Sequence, residues 1–284
     1  LPLQDLTTLS RVRTWLAIED NKDAANPILQ QEITRLSAVT LSWLGYSSIL
    51  PAIYNDILSG TGSCRILLKQ RPVTKITSFT ASGVSIPANT QPPGMGTGWT
   101  LEPWDGYCPA KAQQLFVSGY GLPRGMANIG LTYTAGYQAS VTMQVPTSAP
   151  YELCPDFPAG MFAVDAGVTL DGTALTPVTG DPSAMQYTPA APLFPDDSTG
   201  KPKQSKYVFN AAQAGANVVI TGGFIPYTIE NAVCELVGER FKYRDRIGSR
   251  SKSLGGQEVM SYDVNDLPKW FTSTLQPFKN VLPV

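Results

Sequence analysis

Two strand-like stretches of this chain close in the same way. Asn128-Ile129-Gly130-Leu131-Thr132-Tyr133-Thr134-Ala135-Gly136-Tyr137 ends one β-rich block, and Asn217-Val218-Val219-Ile220-Thr221-Gly222-Gly223-Phe224 ends a second. Each predicts a strand running into a Gly-aromatic turn, and only the second leads, at Ile225-Pro226, into a helix. A doubled exit strand constrains the plan: helix, sheet and helix, with a second β module placed after the first exit strand. Hydrophobic periodicity agrees, at three to four residues near both ends and two in between.

Asp5 is placed as the N-cap of a first helix over 6–18, where Leu6, Leu9, Val12 and Leu16 share a face. Asn26-Pro27 starts a second, with Asn as cap and Pro at the first helical position. Leu29, Ile33, Leu36, Thr40 and Trp43 form its stripe and Gly45 its stop. The stretch from Tyr46 to Gly62, with Pro51 and Gly60, reads as irregular. Strands are expected at Cys64–Leu68, Val73–Ala81, Val84–Ile86 after the Ser82-Gly83 turn, Trp99–Leu101, Gln114–Ser118 and Ile129–Tyr133. In the second block, Ala163–Asp165 and Val168–Leu170 flank Ala166-Gly167 as a tight turn, and Asp171-Gly172 makes the next. Tyr187, Tyr207–Phe209 and Val218–Thr221 add strands around a long loop, 189–203. From Pro226, Ile229, Ala232, Val233, Leu236, Val237 and Phe241 make a helical stripe, with Glu230, Glu235 and Glu239 placed off it. Gly248 is expected to end this helix, and Asp266 to cap a last one over 267–275.

Composition excludes several chemistries. Histidine is absent, which removes Ser-His-Asp and Cys-His catalysis and the commonest zinc ligand. The formal net charge is −1, so the whole chain has no basic field for nucleic acid and no charge that repels its own copies. Cys64, Cys108, Cys154 and Cys234 form no C-x-x-C pair, and Cys234 falls in the apolar stripe as a buried thiol. With no secretory signal and no apolar run of about 18 residues, synthesis in a reducing cytoplasm is expected. No cofactor or metal is expected. Asp196-Asp197 lacks a calcium-loop arrangement, and Gly94-x-Gly96-x-Gly98 neither follows a strand nor opens a helix.

Two segments are candidate partner-binding sites. The basic run Arg240, Lys242, Arg244, Arg246, Arg250 and Lys252 suits an acidic protein surface, DNA passing through a channel, or a solvated helix end favoured by the dipole. Trp270, Phe271, Leu275, Phe278, Val281 and Leu282 either fold back on the parent domain or dock on another protein. Pro268, Pro277 and Pro283 favour docking, because they keep the arm extended.

Several of these segments resemble the head–tail connector (adaptor, head-completion) proteins of tailed bacteriophages. Ile225-Pro226 with Ala232-Val233-Cys234-Glu235-Leu236-Val237, and the run Tyr243 to Gly256, are similar to that family's final helix and the segment after it. Leu6-x-x-Leu9-x-x-Val12-Arg13-x-Trp15-Leu16 is similar to its first helix, Leu67-x-Lys69-Gln70-x-Pro72-Val73 to the strand opening its β part, and Thr132–Tyr137 to the strand before its final helix. Residues 138–224 depart from the pattern and resemble a small β module of other phage structural proteins. The resemblance implies a twelvefold ring under the portal that bridges it to the tail.

The sequence therefore predicts an α+β chain with a helical core from its two ends and two antiparallel β-rich blocks between them. The expected divisions are 1–63 (helical), 64–137 (first β block), 138–224 (inserted β module) and 225–284 (final core helix, basic segment and docking arm). The expected function is a non-enzymatic neck adaptor of the virion, made in the host cytoplasm. Its expected partners are the portal, tail or neck proteins and its own copies, with DNA passing unbound and no membrane contact. The alternative is a β-rich carbohydrate-binding or glycoside-cleaving protein using Trp99, Trp104, Tyr107 and Tyr120 with Glu102 and Asp105.

Overall fold

Thr8, not Asp5, caps the first helix, α1 (Leu9–Leu16): its hydroxyl accepts from the Arg11 N–H at 3.3 Å. Asp5 instead accepts from Gln30 Nε2 at 2.7 Å. The computed structural model describes residues 4–18, 23–91, 95–102, 113–157, 159–190, 206–242, 251–254, 258–261 and 267–280. The second helix, α2 (Asn26–Leu44), ends where expected, at Gly45 in the left-handed region (φ 78°). A Cβ at Gly45 would also stand 2.9 Å from the Asn280 carbonyl oxygen, so packing and backbone both require glycine there. Asn26 does not cap; its carboxamide oxygen accepts from Arg13 Nη1 at 2.9 Å and ties α1 to α2.

The first β block holds β1 (Ala52–Gly60), β2 (Arg65–Leu67), β3 (Val73–Ala81), β4 (Val84–Ser85), β5 (Gly98–Glu102), β6 (Gln114–Ser118) and β7 (Gly125–Ala135). The stretch read as irregular is thus mostly a nine-residue strand, β1. The strands form two sheets, ordered β1-β7-β3-β4 and β2-β6-β5, and their inner faces enclose Phe79, Leu115, Leu131 and Tyr133. The Ser82-Gly83 turn is present, with both residues at positive φ.

The second β block holds β8 (Gln138–Gln144), β9 (Glu152–Leu153), β10 (Gly160–Leu170), β11 (Thr173–Ala174), β12 (Thr176–Pro177), β13 (Gln186–Thr188), β14 (Tyr207–Phe209) and β15 (Asn217–Pro226). Its sheets run β11-β10-β15-β8 and β12-β13-β14-β9 around Phe157, Phe162, Tyr187, Tyr207 and Ile220. The turn expected at Ala166-Gly167 is absent. Gly167 (φ 122°) sits at a register shift inside the continuous strand β10, so its glycine serves a bulge rather than a reversal. Gly222-Gly223 is likewise interior to β15, which runs without a loop into α3 (Tyr227–Lys242). A hairpin of β16 (Ser251–Leu254) and β17 (Glu258–Ser261) comes next, then α4 (Lys269–Leu275), with Pro268 at its N-cap.

The expectation of a helical core is overturned. Strands take 39% of the described residues and helices 26%, so helices do not organise the molecule. Among the described residues, the buried apolar side chains fall into three clusters. Only one lies among the helices, where Leu29, Ile33, Val233, Leu236 and Phe271 meet, and it also takes in Tyr137, Ala163, Phe224 and Ile225 from the strands or their ends. The reason lies in length: α1 and α4 span 8 and 7 residues, too short to carry a core alone.

Candidate functional site

The segments after α2, between β2 and β3 and after β7 meet Phe224 of β15 and the C-terminal arm at one junction. Gly136 follows β7 at φ 137°, where a Cβ would come within 2.4 Å of the Leu50–Pro51 backbone. Only glycine allows that approach, and it lets the Gly136 N–H donate to the Pro72 carbonyl at 2.8 Å. The Tyr137 N–H donates to Ile49 O at 2.9 Å, and the Phe224 N–H donates to Tyr137 O at 3.0 Å. The Tyr137 ring lies 5.9 Å from Phe224 and 6.3 Å from Phe278.

Asn280 fastens the arm to this junction. Its N–H donates to Leu44 O at 2.7 Å and its Nδ2 to Lys69 O at 2.7 Å, while its Oδ1 accepts from Arg71 Nε at 2.9 Å. Lys279 adds its ammonium over the Trp43 ring, 4.7 Å from the centroid. On the sheet side, the Tyr133 hydroxyl donates to Asp56 Oδ2 at 2.7 Å and accepts from the Gln70 N–H at 3.2 Å. Burial, then the Asp56 carboxylate, pushes the Tyr133 phenol well above its ordinary range, which keeps it a donor.

A second polar cluster escaped the sequence reading. Glu230, expected off the stripe of α3, is completely buried. Arg11 Nε and Nη2 donate to its two oxygens at 3.0 Å each, and the Thr7 hydroxyl donates at 3.1 Å. Beside it the Cys234 thiol is pushed up to about 11, first by burial and then by Glu230. The signal was present: Glu230 is in helical phase with Val233, Cys234 and Val237. In the second β block, Asp165 accepts from Tyr187 at 2.6 Å, Tyr207 at 2.8 Å and the Gly167 N–H at 3.2 Å. Burial and Asp165 raise both phenols.

The docking arm is corrected in part. Phe271 and Leu275 are fully buried in the chain's own cluster, and Trp270 and Phe278 pack against it. Pro268 stands at the N-cap of α4 and Pro277 in the 3-10 turn after it rather than holding the arm extended, so these four groups pack within the chain; Pro283 lies outside the described residues. Val281 and Leu282 lie outside the described residues. Of the basic run, Arg240 is half-buried and Lys242 exposed in the last turn of α3. Arg244, Arg246, Arg250 and the Lys252 side chain lie outside the described residues, as do Gly248 and Asp266.

Of the residues behind the glycosidase alternative, Trp99, Glu102 and Tyr120 are among the described residues. Glu102 is held by Arg65 at 3.3 Å and Gln114 at 2.9 Å, and Trp99 and Tyr120 pack against the first β block's core. Trp104, Asp105 and Tyr107 lie outside the described residues, as do Gly94 and Asp196-Asp197. Among the described residues no three Cys, Asp or Glu side chains come together as a metal site, and no helix is long and apolar enough to cross a membrane. Compared with known protein families and with curated proteins, the sequence matches none.

Proposed function

We propose that this chain is a structural head-to-tail adaptor of a tailed bacteriophage. In this reading it forms a ring of about twelve copies under the portal, continues the DNA channel without binding DNA specifically, and catalyses nothing. It is made in the host cytoplasm and ends in the neck of the virion. One observation carries the reading. The segments that resemble connector proteins are scattered along the chain, yet they meet in pairs: the Gly136 N–H donates to the Pro72 carbonyl, and Leu6 and Val12 share one buried cluster with Ala232, Val233, Leu236 and Val237. Scattered chance likenesses have no reason to meet in this way. In this reading the β blocks form the bulk of the ring and the helices have a local role.

The portal or a neighbouring subunit is the partner assigned to the basic run Arg240 to Lys252. A tight grip on phosphate there would hold the genome back, so a protein partner suits a channel better than DNA does. The test is co-sedimentation of the purified chain with portal rings of its phage, followed by cryo-EM of the particle neck. Binding should weaken with salt and in the Arg244→Glu/Arg246→Glu variant. A chain that ignores portal rings and is missing from purified particles is not an adaptor.

A further inference from the structure

β1 is an edge strand without the usual protections. It ends the sheet β1-β7-β3-β4, and among the described residues no strand pairs with its outer side. From Ala52 to Leu58 its register with β7 is unbroken, so no bulge bends the edge away. It contains neither Pro nor Lys, devices that normally guard exposed edges. Its one charged side chain, Asp56, is already engaged by Lys69 at 3.8 Å and Tyr133 at 2.7 Å. On the face turned away from the core, Ile53 and Ile57 are 71% and 69% exposed.

The occupant follows from the sequence of the strand itself. Ile53-Tyr54-Asn55-Asp56-Ile57 places an isoleucine two residues to either side of Asn55. An antiparallel partner with the same sequence, related by a two-fold axis at Asn55, sets each Ile53 against an Ile57. It also sets Asn55 against Asn55, and Tyr54 against Asp56. All four exposed isoleucines become cross-strand pairs. A slip of one residue would mix the two faces and leave them unpaired. We propose that β1 is a self-pairing edge through which two copies of this chain join antiparallel, about a two-fold axis at Asn55. The contact is isologous and does not rest on the adaptor reading. As an edge contact it falls below about 1,200 Å², so it is reversible on dilution.

Sedimentation of the full chain over a concentration series should show a monomer–dimer equilibrium. Ile53→Lys/Ile57→Lys should abolish the dimer and, at concentrations where the parent chain is monomeric, leave the melting temperature unchanged, because both side chains already face water. In a background with Cys64, Cys108 and Cys154 replaced by Ser, Asn55→Cys should oxidise to a covalent dimer. The two Cβ atoms then lie about 4.5–5.5 Å apart across the axis. Ser59→Cys should not cross-link, since its copies stand roughly 25 Å apart along the strands. A monomer at every concentration overturns the proposal. So does association that Ile53→Lys/Ile57→Lys abolishes but Asn55→Cys fails to trap, which would mean β1 joins another edge head to tail. Portal binding by the lysine variant bears on the adaptor reading alone.

Discussion

Glu230 shows how one side chain sets local conditions. It is 0% exposed while its partner Arg11 is 52% exposed, so the ion pair is anchored in the core and open to water at one end. Arg11→Ala leaves the carboxylate buried with the Thr7 hydroxyl. Loss of a buried partner costs about 3–5 kcal/mol, and solvent at the Arg11 side lowers the expectation to roughly 2–3 kcal/mol. Urea denaturation measures it; a change under half a kcal/mol would mean the pair is ornamental. Cys234 supplies a pH signature. Its thiol is raised from 9.0 to about 11, so between those values the unfolded chain has released a proton that the folded chain still holds. Stability is therefore complete below pH 9 and falls as pH rises toward 11. The raised phenols of Tyr133, Tyr187 and Tyr207 act with the same sign at higher pH. Cys234→Ala should make the urea midpoint fall less steeply between pH 9 and 11, and equal slopes in both proteins would remove the thiol from the account. Alkylation of the native protein should reach the exposed Cys64 and Cys154 and spare Cys234. Burial of Cys234 was legible from its place in the stripe. Burial of Glu230 was not, because charge was allowed to outweigh helical phase.

At the scale of elements, the C-terminal arm is a strap. α4 places Phe271 and Leu275, both 0% exposed, in the helical cluster, and Asn280 bonds to the backbone at the end of α2 and before β3. Truncation after Asp266 should therefore unfold the chain. Burial of each large apolar group contributes roughly 1.5–3 kcal/mol and whole domains retain only about 5–15. Phe271→Ala alone should cost about 3–5 kcal/mol. Soluble, cooperatively unfolding protein from the truncated gene would return the arm to a docking role. Helix signals were read well where the chain obeys local chemistry: the Gly45 stop and the start of α3 needed no tertiary information. β1 was missed for the opposite reason. Its apolar residues, Ile53, Tyr54, Ile57 and Leu58, fall on both faces, which erases the alternation that marks a half-buried strand. The side chains that hid the strand are the two isoleucines it exposes. Gly167 misled because a glycine amid strand residues signals a bulge as readily as a turn.

At the scale of the whole molecule, the second β block is stitched to the helices. Ala163 is buried in the helical cluster, and Ala139 and Met161 pack against it. Deleting 138–223 and joining Tyr137 to Phe224 strips these contacts along with the sheet that holds β15. The product should keep helical circular dichroism yet lose on the order of a few kcal/mol of stability. An unchanged urea midpoint would mark the block as freely removable. The order of the elements was readable from the sequence; their weighting was not, because short helices with strong stripes look more important than they are. The passage of β15 into α3 with no loop between them has a mechanical consequence. Strand and helix make one stiff strut, so load on the second β block reaches the helices without slack, whereas the first block meets the helices through the 45–51 loop and the hydrogen bonds at its junction. Pulled in optical tweezers between handles on the two β blocks, the first block should peel away at low force while the strut stays whole.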